Sequence, residues 1–312
     1  MDHRLNRRRF IASGVALAIS PFAASLLATP FARSAEIPPS SGDLRGRIFK
    51  SFKFGMFNEK ISMEEKFRLA KEMGYDGIEL DSPGGQDKQE ALAASLAVGI
   101  PIHGAVDSIH WGVRLSDPDS SVREKALKGL LMALQEVNRV GGNAVLLVPG
   151  AVRDKEKENQ EQVWERSIDG IRKAIPTAAR LGVRILIENV WNGFCYVHDG
   201  PENQTADHLA RYLDAINSPW VGSYFDIGNH QKYGKPAEWI RTLGRRIVKL
   251  DVKDWGKKNG FCALGEGDVD WPAVRKALVE IGFAGWATAE LGGGDRRYLR
   301  DVAERMDKLL GL

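Results

Sequence analysis

Short apolar runs alternate with longer amphipathic segments along the chain from Phe52 to its end. The short runs are rich in β-branched and aromatic residues and are bounded by turn residues, a pattern typical of strands. They are FKFGMF (52–57), GIEL (77–80), IPIHGAV (100–106), AVLLVPG (144–150), RILIEN (184–189), VGSYFDI (221–227), IVKLDVKD (247–254) and GWATAEL (285–291).

The segments between these strands place apolar residues at helical spacing, and several of them end at a glycine, as helices often do. The clearest are 63–74, 122–142, 164–182 and 271–283, with glycines at 74, 141, 182 and 282. Strict alternation of strand and helix predicts a parallel sheet, and eight such units fit a single closed (β/α)8 TIM barrel of ~250 residues. A doubly wound sheet is the alternative, but no glycine-rich phosphate-binding turn follows the first strand.

The strand IVKLDVKD raises a question, because its polar face lies inside a predicted barrel. The alternation places Val248, Leu250 and Val252 on one face and Lys249, Asp251 and Lys253 on the other. Since helices cover the outside of such a barrel, we expect the apolar face to pack outward and the polar face to point into the lumen. Inward polar residues near the C-terminal ends of barrel strands line active sites.

Successive predicted strands carry a carboxylate at or near their C-terminal ends, namely Glu188, Asp226, Asp251 and Glu290. Taken singly, each is more typical of a helix cap or an ion-pair partner. Together they meet at one narrow rim, where they repel one another unless a cation lies between them. The sequence therefore predicts a divalent metal site at the mouth of the barrel.

Several long stretches resemble the sugar-phosphate isomerase/epimerase family of the xylose isomerase-like TIM barrels. Within it, the chain is most similar to the L-xylulose 5-phosphate 3-epimerase and hexulose-phosphate isomerase group. The likeness covers nearly all of residues 48–312 and is more specific to the superfamily than to a substrate. It is carried by ENVWNGF (188–194), the stretch from SPWVGSYFDIGNH onward (218–247), GEGDVDWPAVRKALVEIGFAGWATAEL (265–291), SIHWGVRLSDPDSSVREKALKGL (108–130) and NAVLLVPGAV (143–152).

The resemblance implies a divalent ion, commonly manganese, held by Glu, Asp, His and Glu from successive strands. Glu188, Asp226 and Glu290 match that set, whereas Asp251 stands where the family usually has His. An all-oxygen site suits hard cations, so we expect Mn²⁺, with Mg²⁺ and Co²⁺ as alternatives. Loss of the site is the other interpretation of Asp251, and it predicts a barrel that binds sugar without catalysis.

The resemblance also implies a sugar epimerase or isomerase that acts on a ketose or keto-sugar. Proton abstraction next to the carbonyl gives an enediolate, and Glu188 and Glu290 are the expected catalytic pair. A keto-sugar lyase or dehydratase would share that step. Metal-dependent DNA-repair endonucleases belong to the same superfamily, but six scattered histidines are too few for their ligand set.

A further group of residues is expected to contact substrate at the same rim. His103 and His110 are placed there by the third strand and its loop, and His230 is a source for the missing imidazole beside Asn229. Trp191 offers a face for stacking on a sugar, Glu79 offers a hydroxyl acceptor, and the lysines offset the charge of Asp251. The set is His103, His110, Trp191, Asn229, His230, Lys253, Lys257 and Glu79.

The N-terminus, NRRRFIASGVALAISPFAASLLA, has the layout of a twin-arginine export signal. A basic amphipathic helix or an uncleaved anchor is the alternative. We expect a signal peptide at 1–35, a linker at 36–47 and the barrel at 48–312. An exported enzyme would act on an unphosphorylated sugar in the periplasm. In that compartment Cys195 and Cys262 either pair or remain free.

Composition narrows the range of partners. The chain has 312 residues, 43% hydrophobic and 27% charged, with a net charge of +3 that is concentrated in part in the first ten residues. The near-neutral remainder lacks the basic footprint of a nucleic-acid-binding protein, and no later segment is apolar enough to span a membrane. The expected partner is a small sugar; a homodimer and a homotetramer are both open.

Overall fold

The structure, a computed structural model, describes residues 43–312. Within that range, eight parallel strands close into a barrel, and a helix follows each of them. The barrel strands are β1 (Ile48–Lys53), β2 (Gly77–Ser82), β3 (Ile102–Asp107), β4 (Ala144–Leu147), β5 (Arg184–Glu188), β6 (Val221–Asp226), β7 (Ile247–Val252) and β10 (Gly285–Ala289). The helices are α1 (Met63–Glu72), α2 (Lys88–Val98), α3 (Ser120–Arg139), α4 (Gln160–Leu181), α5 (Asp207–Ile216), α6 (Pro236–Leu243), α7 (Trp271–Glu280) and α8 (Arg296–Leu310). The predicted TIM barrel is confirmed.

A small antiparallel hairpin, β8 (Asp254–Gly256) and β9 (Gly260–Cys262), follows β7 at the C-terminal side of the barrel. Its base is fixed by the buried Asp254 carboxylate, which accepts hydrogen bonds from Gly265 N at 2.8 Å and Trp271 Nε1 at 3.0 Å. The strand predicted at 247–254 therefore divides into β7 and β8 at Lys253. This hairpin forms one wall of the mouth.

Local signals explain where the helices begin and end. At the start of α4, the Asn159 side chain accepts from Gln162 N while the Gln162 side chain accepts from Asn159 N, a reciprocal capping box. The same helix ends at Gly182, whose φ of 68° is the left-handed conformation that glycine adopts without strain. The predicted glycine stops are confirmed, which supports the reading of the amphipathic segments as barrel helices.

The alternation of β7 is confirmed except at its start. Leu250 and Val252 pack outward into the core between strands and helices, and Lys249 and Asp251 are buried in the lumen. The outward placement of Val248 is wrong, because the β6–β7 register passes over this residue and turns its side chain toward the lumen cluster around Leu186 and Tyr224. A bulge of this kind reverses the parity of the residues beyond it.

The predicted signal peptide at 1–35 and most of the linker lie outside the described residues. Where the description begins, Leu44 is only 2% exposed, and β1 starts at Ile48.

Both Cys195 and Cys262 are free thiols, the first of them buried. Among the helices of residues 43–312, none combines the length and apolar character needed to cross a bilayer.

Candidate metal centre and active site

Four carboxylates meet at the C-terminal rim of the described barrel: Glu188, Asp226, Asp251 and Glu290. Each contributes one oxygen to a set whose members lie within 4.8 Å of one another. Glu188 and Asp226 are the last residues of β5 and β6, Asp251 is the next to last of β7, and Glu290 directly follows β10. Because these strands are neighbours in the barrel, their ends bring together residues that are far apart in sequence. We call this set the carboxylate cluster.

Two lysine side chains enter the carboxylate cluster. Lys53 Nζ lies 3.0 Å from Asp251 Oδ2 and 3.7 Å from Glu290 Oε1. Lys253 Nζ lies 2.7 Å from Glu290 Oε2 and 3.1 Å from Asp226 Oδ2. The two ammonium groups offset two of the four negative charges. The remaining charge matches that of a divalent cation.

Burial and these lysines divide the carboxylates electrostatically. Burial raises the pKa of Glu188 well above its usual range, and the nearby Glu290 carboxylate adds to the rise. Burial also raises the pKa of Asp251, and that of Asp226 to about 6, against the opposing effects of Lys53 and Lys253 respectively. For Glu290 the two lysines outweigh burial and lower the pKa to about 2. Without a bound cation, Glu188 is therefore the harder of the two glutamates to ionise and Glu290 the easier.

The donor set fits a hard divalent cation. Asp226 Oδ1 is held by Gly228 N at 2.8 Å and Asn229 N at 2.7 Å, which turns Oδ2 toward the cluster. Asp226 Oδ2, Asp251 Oδ1 and Glu290 Oε2 are buried and have no hydrogen-bond partner among the described residues. Lys253 Nζ lies 2.7 Å from Glu290 Oε2 and 3.1 Å from Asp226 Oδ2, so its charge compensates these two oxygens in part. Buried carboxylate oxygens without hydrogen bonds are costly unless an ion coordinates them, and oxygen-only sites suit Mn²⁺ or Mg²⁺.

Asn229 joins the cluster to the residues behind it. Its Nδ2 donates to Glu188 Oε1 at 3.2 Å, and its Oδ1 accepts from Lys253 Nζ at 3.1 Å. His230, by contrast, receives a hydrogen bond from Asn189 Nδ2 at 3.0 Å and stacks on Trp239. The expectation that His230 supplies the missing imidazole is wrong, because its ring points away from the cluster and into the packing of α6.

The placement of His103 at the catalytic rim is also wrong. It is the second residue of β3, and the β2–β3 register passes over it, so its ring points into the lower lumen. There Lys249 Nζ donates to His103 Nδ1 at 2.8 Å, and His103 Nε2 donates to Ser51 Oγ at 2.8 Å. Ser51, Thr288 and the Tyr224 hydroxyl continue this chain, with successive distances of 2.8 and 2.6 Å. We call these residues the lower lumen network.

Glu79 connects the two regions. Its Oε1 accepts from Tyr224 Oη at 3.0 Å, and its Oε2 lies 3.3 Å from Lys53 Nζ. It is fully buried and is therefore placed to support Lys53 from below.

The remaining predicted contacts differ in position. His110 is buried beside the rim, where its Nδ1 accepts from Val148 N at 3.2 Å, and burial lowers its pKa to about 3. Trp191 lies at the mouth and donates from Nε1 to Asn229 O. Lys257 is away from the cluster: it is 75% exposed on the hairpin and pairs with Glu202 at 2.8 Å. The β8–β9 turn carries Lys257 outward, so the structure does not bring it into the carboxylate cluster, and its contact with substrate stays a prediction.

Lys53 is the main residue that the sequence reasoning missed. The apolar pattern predicts the first strand at 52–57 with Lys53 near its beginning, whereas β1 runs from Ile48 to Lys53 and ends there. A charged side chain at the C-terminal end of a barrel strand is the signal that identified Glu188, and with the correct strand bounds it identifies Lys53 as well.

Comparison with known proteins agrees with this architecture. The family model described as a xylose isomerase-like TIM barrel matches residues 67–309. An L-ribulose-5-phosphate 3-epimerase of Escherichia coli is 27% identical over 266 residues, which cover 78% of this chain and 90% of that protein.

Solved structures show the same fold at lower identity. The apo form of a 3-keto-D-glucoside 4-epimerase from E. coli superposes with a TM-score of 0.66 and 19% identity, covering 85% of this chain and 99% of that one. The IOLI protein with a bound zinc atom superposes with a TM-score of 0.69 and 16% identity, covering 84% of this chain and 98% of that one.

Proposed function

Because the chain belongs to the xylose isomerase-like TIM barrel family, we propose that it is a divalent-metal-dependent epimerase or isomerase of a ketose or keto-sugar. The observation that carries this proposal is the convergence of Glu188, Asp226, Asp251 and Glu290, each with an oxygen inside a 4.8 Å set. The names of the relatives, an L-ribulose-5-phosphate 3-epimerase and a 3-keto-D-glucoside 4-epimerase, support the same reaction class.

The carboxylate cluster would hold the metal, which we propose to be Mn²⁺, with Mg²⁺ or Co²⁺ as alternatives. When bound, such an ion polarises the substrate carbonyl and makes the neighbouring C–H bond more acidic. The buried carboxylate oxygens without hydrogen bonds support this assignment, as does the zinc atom in a protein of the same fold.

Glu188 and Glu290 are the proposed proton carriers. Strands β6 and β7 lie between β5 and β10 in the barrel, so the two glutamates flank the cluster from its two ends. When a sugar is bound between them, one glutamate carboxylate faces each side of its reacting carbon. One glutamate takes the proton and the other returns it, which inverts the centre. Lys253, 2.7 Å from Glu290, offers positive charge to the enediolate oxygens that form.

We also propose that the substrate is unphosphorylated and that the protein is exported. The support is the twin-arginine pattern in the first 35 residues of the sequence and the position of sugar phosphates as metabolites of the cytoplasm. Fusion of residues 1–47 to a reporter protein, with and without substitution of Arg7 and Arg8 by lysine, tests export directly. Cytoplasmic retention of the unaltered fusion would refute it.

The decisive experiment for the reaction is solvent exchange. The Mn²⁺-loaded protein is incubated in D₂O with a panel of free ketoses, keto-glycosides and ketose phosphates, and deuterium next to the carbonyl is followed by NMR. We expect incorporation that requires metal and yields two epimers or isomers without a second product. A second product in equal amount would instead assign a lyase. No incorporation with any ketose under metal saturation would refute catalysis of this class.

A further inference from the structure

A cavity opens at the C-terminal side of the barrel, next to the loop that follows Glu188. It has a volume of about 640 Å³ and is formed by the loops that follow β3, β4 and β5. Within the described chain, none of the four cluster carboxylates lines it. Cavities of roughly 300–1,000 Å³ are typical of small-molecule sites. This one therefore offers space beyond that needed by the reacting carbons. We call it the side cleft.

The walls of the side cleft combine apolar and polar groups. Trp111 and Val197 line it and are 46% and 59% exposed, so both side chains are open to a ligand in the cleft. Trp191, Asn192 and His198 line it as well. An apolar face next to amide and imidazole groups suits a ligand with a C–H face and hydroxyl edges.

The strongest polar feature is the buried Glu158 side chain in the wall of the cleft. Its Oε1 accepts from Arg114 Nη1 at 2.9 Å and from Arg153 N at 3.0 Å. Its Oε2 is buried and has no hydrogen-bond partner in residues 43–312. Glu158 is 4% exposed, so this oxygen is an acceptor that only a ligand or an ordered water can satisfy. Arg114 offsets the charge of Glu158, and Arg153 and Lys155 also line the cleft. A phosphate is therefore the competing ligand that the experiment below separates from a hydroxyl group.

The cleft and the cluster share one loop. Trp191 and Asn192 follow Glu188 in sequence, and Trp191 Nε1 donates to the carbonyl of Asn229. Asn229 in turn donates to Glu188 Oε1 at 3.2 Å. Asn192 is fixed from the other side, because its Nδ2 donates to Gly150 O at 2.7 Å. A ligand that spans both sites is therefore in contact with a rigid connecting segment.

We propose that the side cleft binds the second sugar ring of a glycoside, so that the substrate is a keto-glycoside or keto-disaccharide whose reacting ring lies at the carboxylate cluster. The assignment of the reacting ring rests on the proposed function above. Trp111 provides the stacking face for the second ring, and Glu158 Oε2 accepts a hydrogen bond from one of its hydroxyl groups.

Calorimetry with sugars that cannot react tests the cleft independently of catalysis. The probes are a panel of glucose disaccharides of different linkage, methyl β-glucoside and glucose 6-phosphate, each titrated into the metal-loaded wild-type protein. We expect at least one disaccharide to bind about tenfold more tightly than methyl β-glucoside, because only the disaccharide has a second ring to occupy the cleft. A tenfold change corresponds to about 1.4 kcal/mol of binding free energy. Trp111→Ala should abolish that advantage, and Glu158→Gln should reduce it. Met132→Ala, on the outer face of α3 where Met132 is 50% exposed, is the matched control.

Three outcomes would overturn the proposal. They are equal affinity for all disaccharides and the methyl glycoside, equal weakening of both ligand types by Trp111→Ala, and tighter binding of glucose 6-phosphate that is lost in Arg153→Ala. Failure of the proposed function looks different. If a disaccharide is preferred but no deuterium exchange occurs, the sugar site in the side cleft stands and the epimerase proposal is refuted. If exchange occurs without that preference, only the sugar site in the side cleft is refuted.

Discussion

The barrel lumen holds two polar regions that differ in how completely their groups are hydrogen-bonded. In the lower lumen network, Lys249, His103, Ser51, Thr288 and Tyr224 form a continuous chain with distances of 2.6–2.8 Å. In the carboxylate cluster, by contrast, buried oxygens of three side chains have no hydrogen-bond partner within the described residues. The cluster is also the more open of the two regions: the Glu290 side chain is 30% exposed, whereas Lys249 is 2% exposed.

The difference answers why β7 and the residue that follows it direct Lys249, Asp251 and Lys253 inward. Lys249 belongs to the lower lumen network, where burial lowers its pKa to about 7 and the histidine and backbone oxygen of residue 103 satisfy it. Asp251 and Lys253 belong to the cluster. A satisfied polar network stabilises one arrangement of the core, whereas buried groups without hydrogen bonds need an ion, a ligand or water to satisfy them. One strand thus serves structure at its beginning and chemistry at its end.

Glu188→Gln should give the largest effect, and it should lower activity without lowering the stability of the metal-free fold. Glutamine keeps the size of the side chain and the contact with Asn229 but cannot transfer the proton, so deuterium exchange should fall about 1,000-fold or more. Because the change removes one of four crowded carboxylates, the free energy of unfolding of the metal-free protein should stay equal or rise. Urea titration with NMR exchange measures both. Normal exchange would remove Glu188 from the mechanism.

His103→Ala should show the opposite behaviour. The change removes hydrogen bonds to Lys249 and Ser51 and the stacking on Trp286, whose ring centroid lies 4.4 Å away. Cavity formation and the unpaired groups should lower the free energy of unfolding by about 3 kcal/mol. The change in kcat/KM should stay below about tenfold, since the ring does not reach the cluster. A large rise in KM with unchanged stability would return His103 to the substrate site.

Lys53→Met sharpens the comparison from within the cluster. It removes a positive charge 3.0 Å from Asp251 and 3.7 Å from Glu290, so the dissociation constant for Mn²⁺ should fall about tenfold. Lys257→Met is the matched control, because Lys257 pairs with Glu202 on the surface, and it should leave Mn²⁺ affinity unchanged. Equal affinity in Lys53→Met and wild type would mean that the Lys53 ammonium moves out when the ion binds.

The parts of the molecule that follow local rules were predictable from sequence. Strand and helix alternation, glycine stops and the carboxylates at strand ends depend on short-range spacing, which the chain displays directly. The positions of Lys53, His103 and Lys257 depend instead on irregular features of the folded chain. Phe49 is 46% exposed in β1, which obscures the start of that strand and hence its end at Lys53. His103 depends on a bulge between β2 and β3, and Lys257 on the turn of the β8–β9 hairpin. Such irregularities arise from tertiary pairing and leave no periodic signal.

Asp107 offers a third kind of buried carboxylate for comparison, and it should give the smallest effect. It ends β3 and is 2% exposed, and no lysine or arginine pairs with it in residues 43–312. Its one hydrogen bond comes from Ile109 N at 3.3 Å. Burial accordingly raises its pKa from 3.8 to about 7. The cluster carboxylates have lysines to oppose the same effect, and Asp107 does not.

The raised pKa of Asp107 fixes the sign of a pH dependence. The folded protein binds this proton more tightly than the unfolded chain, so wild-type stability should fall as pH rises from about 4 to about 7. Asp107→Asn keeps the acceptor for Ile109 N and removes the ionisation. Its free energy of unfolding relative to wild type should therefore rise by about 1 kcal/mol between about pH 6.3 and pH 8, where Asp107 loses its proton in the folded protein but is already ionised in the unfolded chain. The cost of the added amide hydrogens is the same at both pH values and cancels in this difference. Urea titrations at both pH values measure the difference. If the stability difference between Asp107→Asn and wild type is the same at both pH values, Asp107 ionises in the folded protein as it does in the unfolded chain. The lack of a neighbouring lysine would then not explain how Asp107 differs from the carboxylate cluster.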